Sequence, residues 1–197
     1  LNSVFNRFDR PLFPRQRLDN RFGFTGQQLL NLSLDYSLLY RNINFFGETA
    51  VSDNGALATS NGMLIALDKN LSLALLFRHF PRNYHHINAQ PFAEKRRGVN
   101  ETGLYLGLEM RPFKDWKLNA YFDFWEHPWL TFQNDSPSVG HEWLARMTYY
   151  KRRKMEFYFQ IRGETKQANL PENISKNDVS VQTDRFQTRF HLTNILS

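Results

Sequence analysis

Apolar and polar residues alternate along most of this chain with a period of two. In the stretch Trp116 to Phe124, one face carries Trp116, Leu118, Ala120, Phe122 and Phe124. The other face carries Lys117, Asn119, Tyr121 and Asp123. Side chains of a strand point alternately to opposite faces, so such a stretch has one apolar and one polar surface. The pattern recurs at Asn31–Leu38 and Ile43–Val51, and at residues marked by Met63 to Leu67, Leu71 to Phe77 and Leu104 to Met110. It returns at Trp143 to Tyr149, Met155 to Ile161 and near Thr183 to Thr193, which predicts about nine strands with the Trp116 stretch. Residues 1–23 hold Pro11, Pro14 and scattered Arg and Asp with little periodicity. They are expected to form an irregular lead-in or lumen segment, leaving 24–197 as a meander of strands.

The connections are sorted by length. Short ones are predicted at 41–42, 68–70, 112–115 and 151–154. Long ones are predicted at 81–100, 127–140 and 166–182, with a shorter member near 52–57. Short turns at one end and longer loops at the other are the habit of bacterial outer-membrane barrels. The expected fold is therefore all-β, an antiparallel up-and-down transmembrane β-barrel with an apolar outside and a polar inside.

Composition sharpens this expectation. Aromatics make up 15% of the chain and Phe alone numbers 18, yet the mean hydropathy is −0.56. Both facts fit strands that face lipid on one side and water on the other. No apolar run reaches about eighteen residues, so a transmembrane helix is excluded and a closed barrel is the remaining way to span a bilayer. Single-chain bacterial barrels have an even strand number. Nine strands, a first residue Leu1 and a last residue Ser197 without a closing aromatic lead us to expect a piece of a larger barrel, completed by the same protein or a partner.

The chain has no Cys, which removes disulfides, thiolate zinc sites and Cys nucleophiles. The net charge is +6 and the isoelectric point about 9.6. Lys and Arg are spread over turns, loops and polar faces, so nucleic-acid binding through this segment is not expected.

The predicted lumen-facing residues include Glu48, Arg78, Glu109, Arg111, Asp123, Arg146, Glu156, Arg162 and Arg189. Acidic and basic groups are mixed, and mixed charges pair across neighbouring strands. A selective pore lining and a charge-paired wall around a filled lumen both fit; the absence of a single-sign ring favours the wall. Trp116, Trp125, Trp129, Phe132 and Trp143 are expected as aromatics of the membrane–water boundary. A carbohydrate-stacking platform is the sharper alternative for the group around Trp125 and Trp129. His85-His86 and Lys95-Arg96-Arg97 read as a solvated loop and an exposed basic turn. No nucleophile elbow, phosphate-binding loop or dinucleotide fingerprint occurs, and no enzymatic role, cofactor or metal is expected.

Several stretches carry a family resemblance. They are Asn42 to Glu48, Asn61 to Asp68, Phe77 to Phe80, Asn100 to Leu108, Phe122 to Leu130 and Asp135 to Ser138. In order and spacing they resemble the barrel region of Bacteroidota outer-membrane proteins that carry helix-hairpin-helix repeats ahead of the barrel. The resemblance covers residues 22 to 193. It implies an exported outer-membrane protein whose barrel continues past Ser197, and it supplies no catalytic residues. The expected role is transport, export or assembly support in the bacterial outer membrane. The expected partners are the lipid bilayer, lipopolysaccharide and other outer-membrane proteins. The alternative is a soluble β-sandwich or lipocalin-like module that binds sugar or lipid through its aromatic loops.

Overall fold

The computed structural model describes residues 1–13, 17–132, 134–151, 155–169 and 180–194. They form one ten-stranded antiparallel sheet in which every strand pairs with its neighbours in sequence. The strands are β1 (Asn2–Leu12), β2 (Gly26–Tyr40), β3 (Ile43–Ser52), β4 (Leu57–Asp68) and β5 (Leu71–Phe80). They continue as β6 (Glu101–Met110), β7 (Trp116–His127), β8 (Ser138–Lys151), β9 (Met155–Asn169) and β10 (Ser180–Asn194). The all-β, up-and-down architecture follows the sequence reading.

The first segment differs from expectation. Residues 1–23 are not wholly irregular: Asn2–Leu12 is a strand, so the meander has ten strands and begins before residue 24. The pairing Asn2↔Ser33 to Arg7↔Gln28 is made by backbone groups. Backbone pairing needs no side-chain pattern, and β1 has none to read: Asn2, Val4 and Asn6 share one face, Ser3, Phe5 and Arg7 the other. Pro11 falls near the end of this edge strand, where a missing N–H is tolerated.

Connections at 41–42, 69–70 and 111–115 lie at one end of the sheet, and those at 53–56, 81–100 and 128–137 at the other. Arg41 takes a left-handed φ of 54°, which lets two residues reverse the chain between β2 and β3. Residues 152–154 of the predicted turn and 170–179 of the predicted loop lie outside the described residues; the rest of that loop is corrected, since 166–169 extend β9 and 180–182 open β10, paired backbone to backbone.

The sheet is strongly curled. Residues 17–24, between β1 and β2, reach the loop after β7: the Trp129 indole N–H donates to the Leu18 carbonyl at 3.1 Å, and Phe22 meets Trp129 ring to ring at 5.4 Å. Strands are spaced about 4.8 Å apart, so β2 and β7 would be separated by roughly 24 Å on a flat sheet. Contact between their end segments requires curvature. Among the described residues β1 and β10 each pair on one side only.

Pairing also assigns the faces, because residues opposite each other in register point the same way. Glu48↔Ser60↔Arg78↔Gly103 runs across β3 to β6. Tyr105↔Asp123↔Glu142↔Glu164 and Glu109↔Asn119↔Arg146↔Gln160 continue that face across β6 to β9. The opposite face carries Leu75↔Leu106↔Phe122↔Trp143 and Met110↔Leu118↔Met147↔Phe159. Among the described residues that apolar face has no second layer. Leu34, Leu38, Leu67, Phe77, Leu106 and Phe122 are all exposed, Leu106 at 42%.

Candidate functional site

The polar face is concave, and the 81–100 loop folds over it. At one side Tyr84 packs with Ala56, Ala58 and Phe80. At the other, the Glu94 carboxylate pairs with Lys166 of β9. Between them Phe92 meets Tyr105 edge-on at 5.4 Å. The loop thus crosses the concavity from β3–β4 to β9.

Arg78 anchors the crossing. Its side chain is 0% exposed. Its Nε donates to Glu101 Oε1 at 2.7 Å, and Nη1 and Nη2 donate to the two oxygens of Asp123 at 2.8 and 3.2 Å. Its guanidinium also lies 5.3 Å from the Phe92 ring centre. Gly103 makes the room: a Cβ there would meet the guanidinium carbon at 2.5 Å. Glu101, 1% exposed, turns its carboxylate to the loop and accepts from the backbone N–H groups of Glu94 at 3.0 Å and Lys95 at 3.4 Å. One carboxylate therefore joins a strand guanidinium to the loop backbone. A buried pair needs such extra hydrogen bonds to offset the desolvation of its charges.

Two further groups complete the wall. Glu142 accepts from the Tyr121 hydroxyl and pairs with Arg162. Lys166 bridges Glu94 and Glu164. In the loop itself, burial pushes the Glu94 carboxyl above its ordinary value and lowers the Lys95 ammonium and the His86 imidazole. His127, buried at the end of β7, stands 3.7 Å from Glu101, too far for a hydrogen bond.

Every described lumen-facing candidate falls on this polar face. Glu48, Arg78, Glu109, Asp123, Arg146, Glu156 and Arg162 share it, and Arg111, just beyond β6, turns back to Glu109 at 2.7 Å. The Arg189 backbone pairs with Gln160, and its side chain lies outside the described residues. Within this set the structure pairs Arg78 with Asp123 beneath the loop and Arg111 with Glu109 at the turn end, and Arg162 joins Glu142 near the first pair. Tyr121, already on the polar face by alternation, joins the network, and Glu94, Glu101 and Lys166 complete it without having been singled out by the sequence pattern.

The aromatic group divides. Trp116 and Trp143 point to the apolar face, Trp116 against Tyr149 at 5.2 Å and Phe157 at 6.0 Å. Trp125 does not join them. It lies on the polar face at 2% exposure, opposite Gly140, where a Cβ would stand 2.7 Å from the indole. The alternation decides this: Trp125 is one residue past Phe124, hence on the Asp123 side. Trp129 is held by Phe22, by Leu18 and by the Arg82 guanidinium 4.8 Å from its ring. Its ring is committed within the protein, which removes the open stacking platform. Exposed Phe132 carries Arg17 over its ring at 4.4 Å. His85 and His86 are half-buried, not freely solvated: His85 Nε2 meets the Phe22 carbonyl at 3.0 Å and His86 Nε2 meets that of Arg97.

Among the described residues no group of three or more His, Asp or Glu is placed to hold a metal ion. The cluster is a set of ion pairs that ties the loop to the strands.

Comparison with known proteins adds one likeness of fold. Neither a scan against family models nor a search of curated proteins found a match. Among solved structures, the one titled "NanC porin structure in rhombohedral crystal form" is similar with a TM-score of 0.38 and 16% identity, over 84% of this chain and 76% of that one.

Proposed function

We propose that this chain is part of an outer-membrane β-barrel with a transport, export or assembly-support role, and that its lumen is narrowed by the 81–100 loop. One observation carries the reading: among the described residues the sheet's apolar face is unpartnered, while its concave face carries the charged side chains and is crossed at one end by the protein's own loop. A soluble sandwich or lipocalin buries its apolar face against a second layer or inside itself. Here the charged face is enclosed and the apolar one exposed. From Trp116 to Phe124 the apolar positions of β7 extend about 27 Å along the strand, roughly 20 Å along the membrane normal at barrel tilt, which covers most of a band of roughly 25 Å. Hydrocarbon is the solvent that such a face fits, with lipopolysaccharide against the loop end.

The test is fractionation of cells expressing the intact protein, followed by electrophoresis with and without heating. A heat-modifiable band in the outer-membrane fraction is expected. A species soluble without detergent and indifferent to heating would overturn the proposal.

A further inference from the structure

We infer that the turn end of the concave face is a binding site for a small, soluble, multiply charged anion bearing phosphate or carboxylate groups. This deepens the barrel reading by naming a ligand class, and it rests on that reading for its role as a vestibule. The binding itself needs only the folded sheet.

A cavity of about 850 Å³ opens there, between the 69–70 and 111–115 turns and the inner faces of β7, β8 and β9. Five cationic side chains line it: Lys69, Arg111, Lys114, Lys117 and Arg146. Only two acidic residues, Asp115 and Glu156, line it with them. Glu109 is shared between Arg111 at 2.7 Å and Lys117 at 2.8 Å, so one carboxylate faces two cations. Both cations remain about half exposed. Arg146 is oriented without any carboxylate: Nε donates to the Gln160 amide oxygen at 2.8 Å, and the guanidinium lies 4.6 Å from the Tyr158 ring centre. A neutral amide and a ring hold the fork in place, and among the described residues no carboxylate pairs with it. Guanidinium forks match the paired oxygens of phosphate and carboxylate. Asn119, Thr148 and Tyr150 add neutral polar groups to the same wall. The volume suits a small ligand.

The charge distribution along the lumen gives the ligand a place to stop. Beneath the loop, the carboxylates of Glu94, Glu101, Asp123, Glu142 and Glu164 meet Arg78, Arg162 and Lys166, mostly as closed pairs. The cationic excess lies at the other end. An anion entering from the turns therefore meets attraction first and a slightly acidic, obstructed interior beyond. The cavity lies mainly on the polar face, with Trp116 of the apolar face at its rim.

Binding of tripolyphosphate and of citrate to the detergent-solubilised intact protein, measured by titration calorimetry at low ionic strength, tests this. The variant Lys117→Gln with Arg146→Gln is expected to weaken the tighter of the two by about tenfold or more. The charge-matched control, Arg96→Gln with Arg97→Gln at the loop end, is expected to change it less than about twofold. Equal weakening in both pairs, or no binding of either anion by the unaltered chain, would sink the site and leave only net charge. Should the first pair misfold, Lys69→Gln with Lys114→Gln, both in exposed turns, replaces it with the same expectation. A chain that binds tripolyphosphate at this cavity yet shows no heat-modifiable membrane form would keep the site and lose the barrel, so the two failures are separable.

Discussion

Arg78 is the residue on which the inner architecture turns. Its guanidinium has left water completely, and two carboxylates compensate it. Removing the cation strands both anions, and breaking a buried pair in this way costs about 3–5 kcal/mol. Arg78→Met is therefore expected to lower unfolding free energy in lipid by that amount, measured by urea titration of reconstituted protein; a loss under about 1 kcal/mol would mean the pairs are solvated. Gly103→Val makes the same point sterically. Its side chain occupies the space of the guanidinium, so Arg78 must leave Glu101 or Asp123, and the loop's anchor goes with it. Proteolysis within 81–100 is expected to accelerate in this variant, while unchanged cleavage would separate the loop from Arg78. The alternation in the sequence was enough to turn Arg78 and Asp123 inward. Their meeting depends on Gly103 and Tyr105 lying between them on β6, a register that no single strand's pattern contains.

At the scale of elements, the two faces of each strand make opposite predictions. Leu106 points to the apolar face, so Leu106→Arg is expected to cost about 2–4 kcal/mol in a bilayer. Ser37, on the inner side of β2 near Asp35, is expected to accept Arg within about 1 kcal/mol. Folding titrations of both variants check the faces; equal costs would void the assignment. The 81–100 loop makes a pH prediction through Glu94, whose folded value is raised by burial. A raised carboxyl binds its proton more tightly in the docked loop than in the free one. The resulting stabilisation is full below the ordinary carboxyl value and is lost as pH rises through the raised value. Hydrogen exchange of the loop amides is expected to slow on mild acidification through that window, and Glu94→Gln is expected to abolish the effect. Strands β2 to β10, and the short turns near 41–42, 69–70 and 111–115, were legible because a half-buried strand must alternate. Strand β1 was not, since an edge strand pairs through its backbone alone. The loop's inward fold was not legible either: a polar sequence suits water and a polar wall equally, and His85, His86 and Lys95 read the same in both settings.

On the scale of the whole molecule, the loop decides whether the lumen is a channel or a filled cylinder. Its contacts reach from Tyr84 against β3–β4 to Glu94 against β9, so anything travelling along the concave face meets it. The wall behind it consists of closed pairs and offers little net field of its own; steric obstruction, not charge, is the larger barrier at this level. The turn-end cavity lies beyond the loop and is unaffected by it. Replacing residues 85–97 by a short Gly-Ser linker removes the crossing segment while leaving Glu101, Arg78 and every strand in place. Conductance in planar bilayers is then expected to rise severalfold above that of the unaltered protein, because the cross-section freed is a large part of a small lumen. The milder variant Glu94→Gln with Lys166→Gln unties one end only, so brief openings are expected in place of a steady increase. If excision leaves conductance unchanged while heat-modifiability persists, the conducting path does not run along this face, and the loop serves the stability of the wall alone.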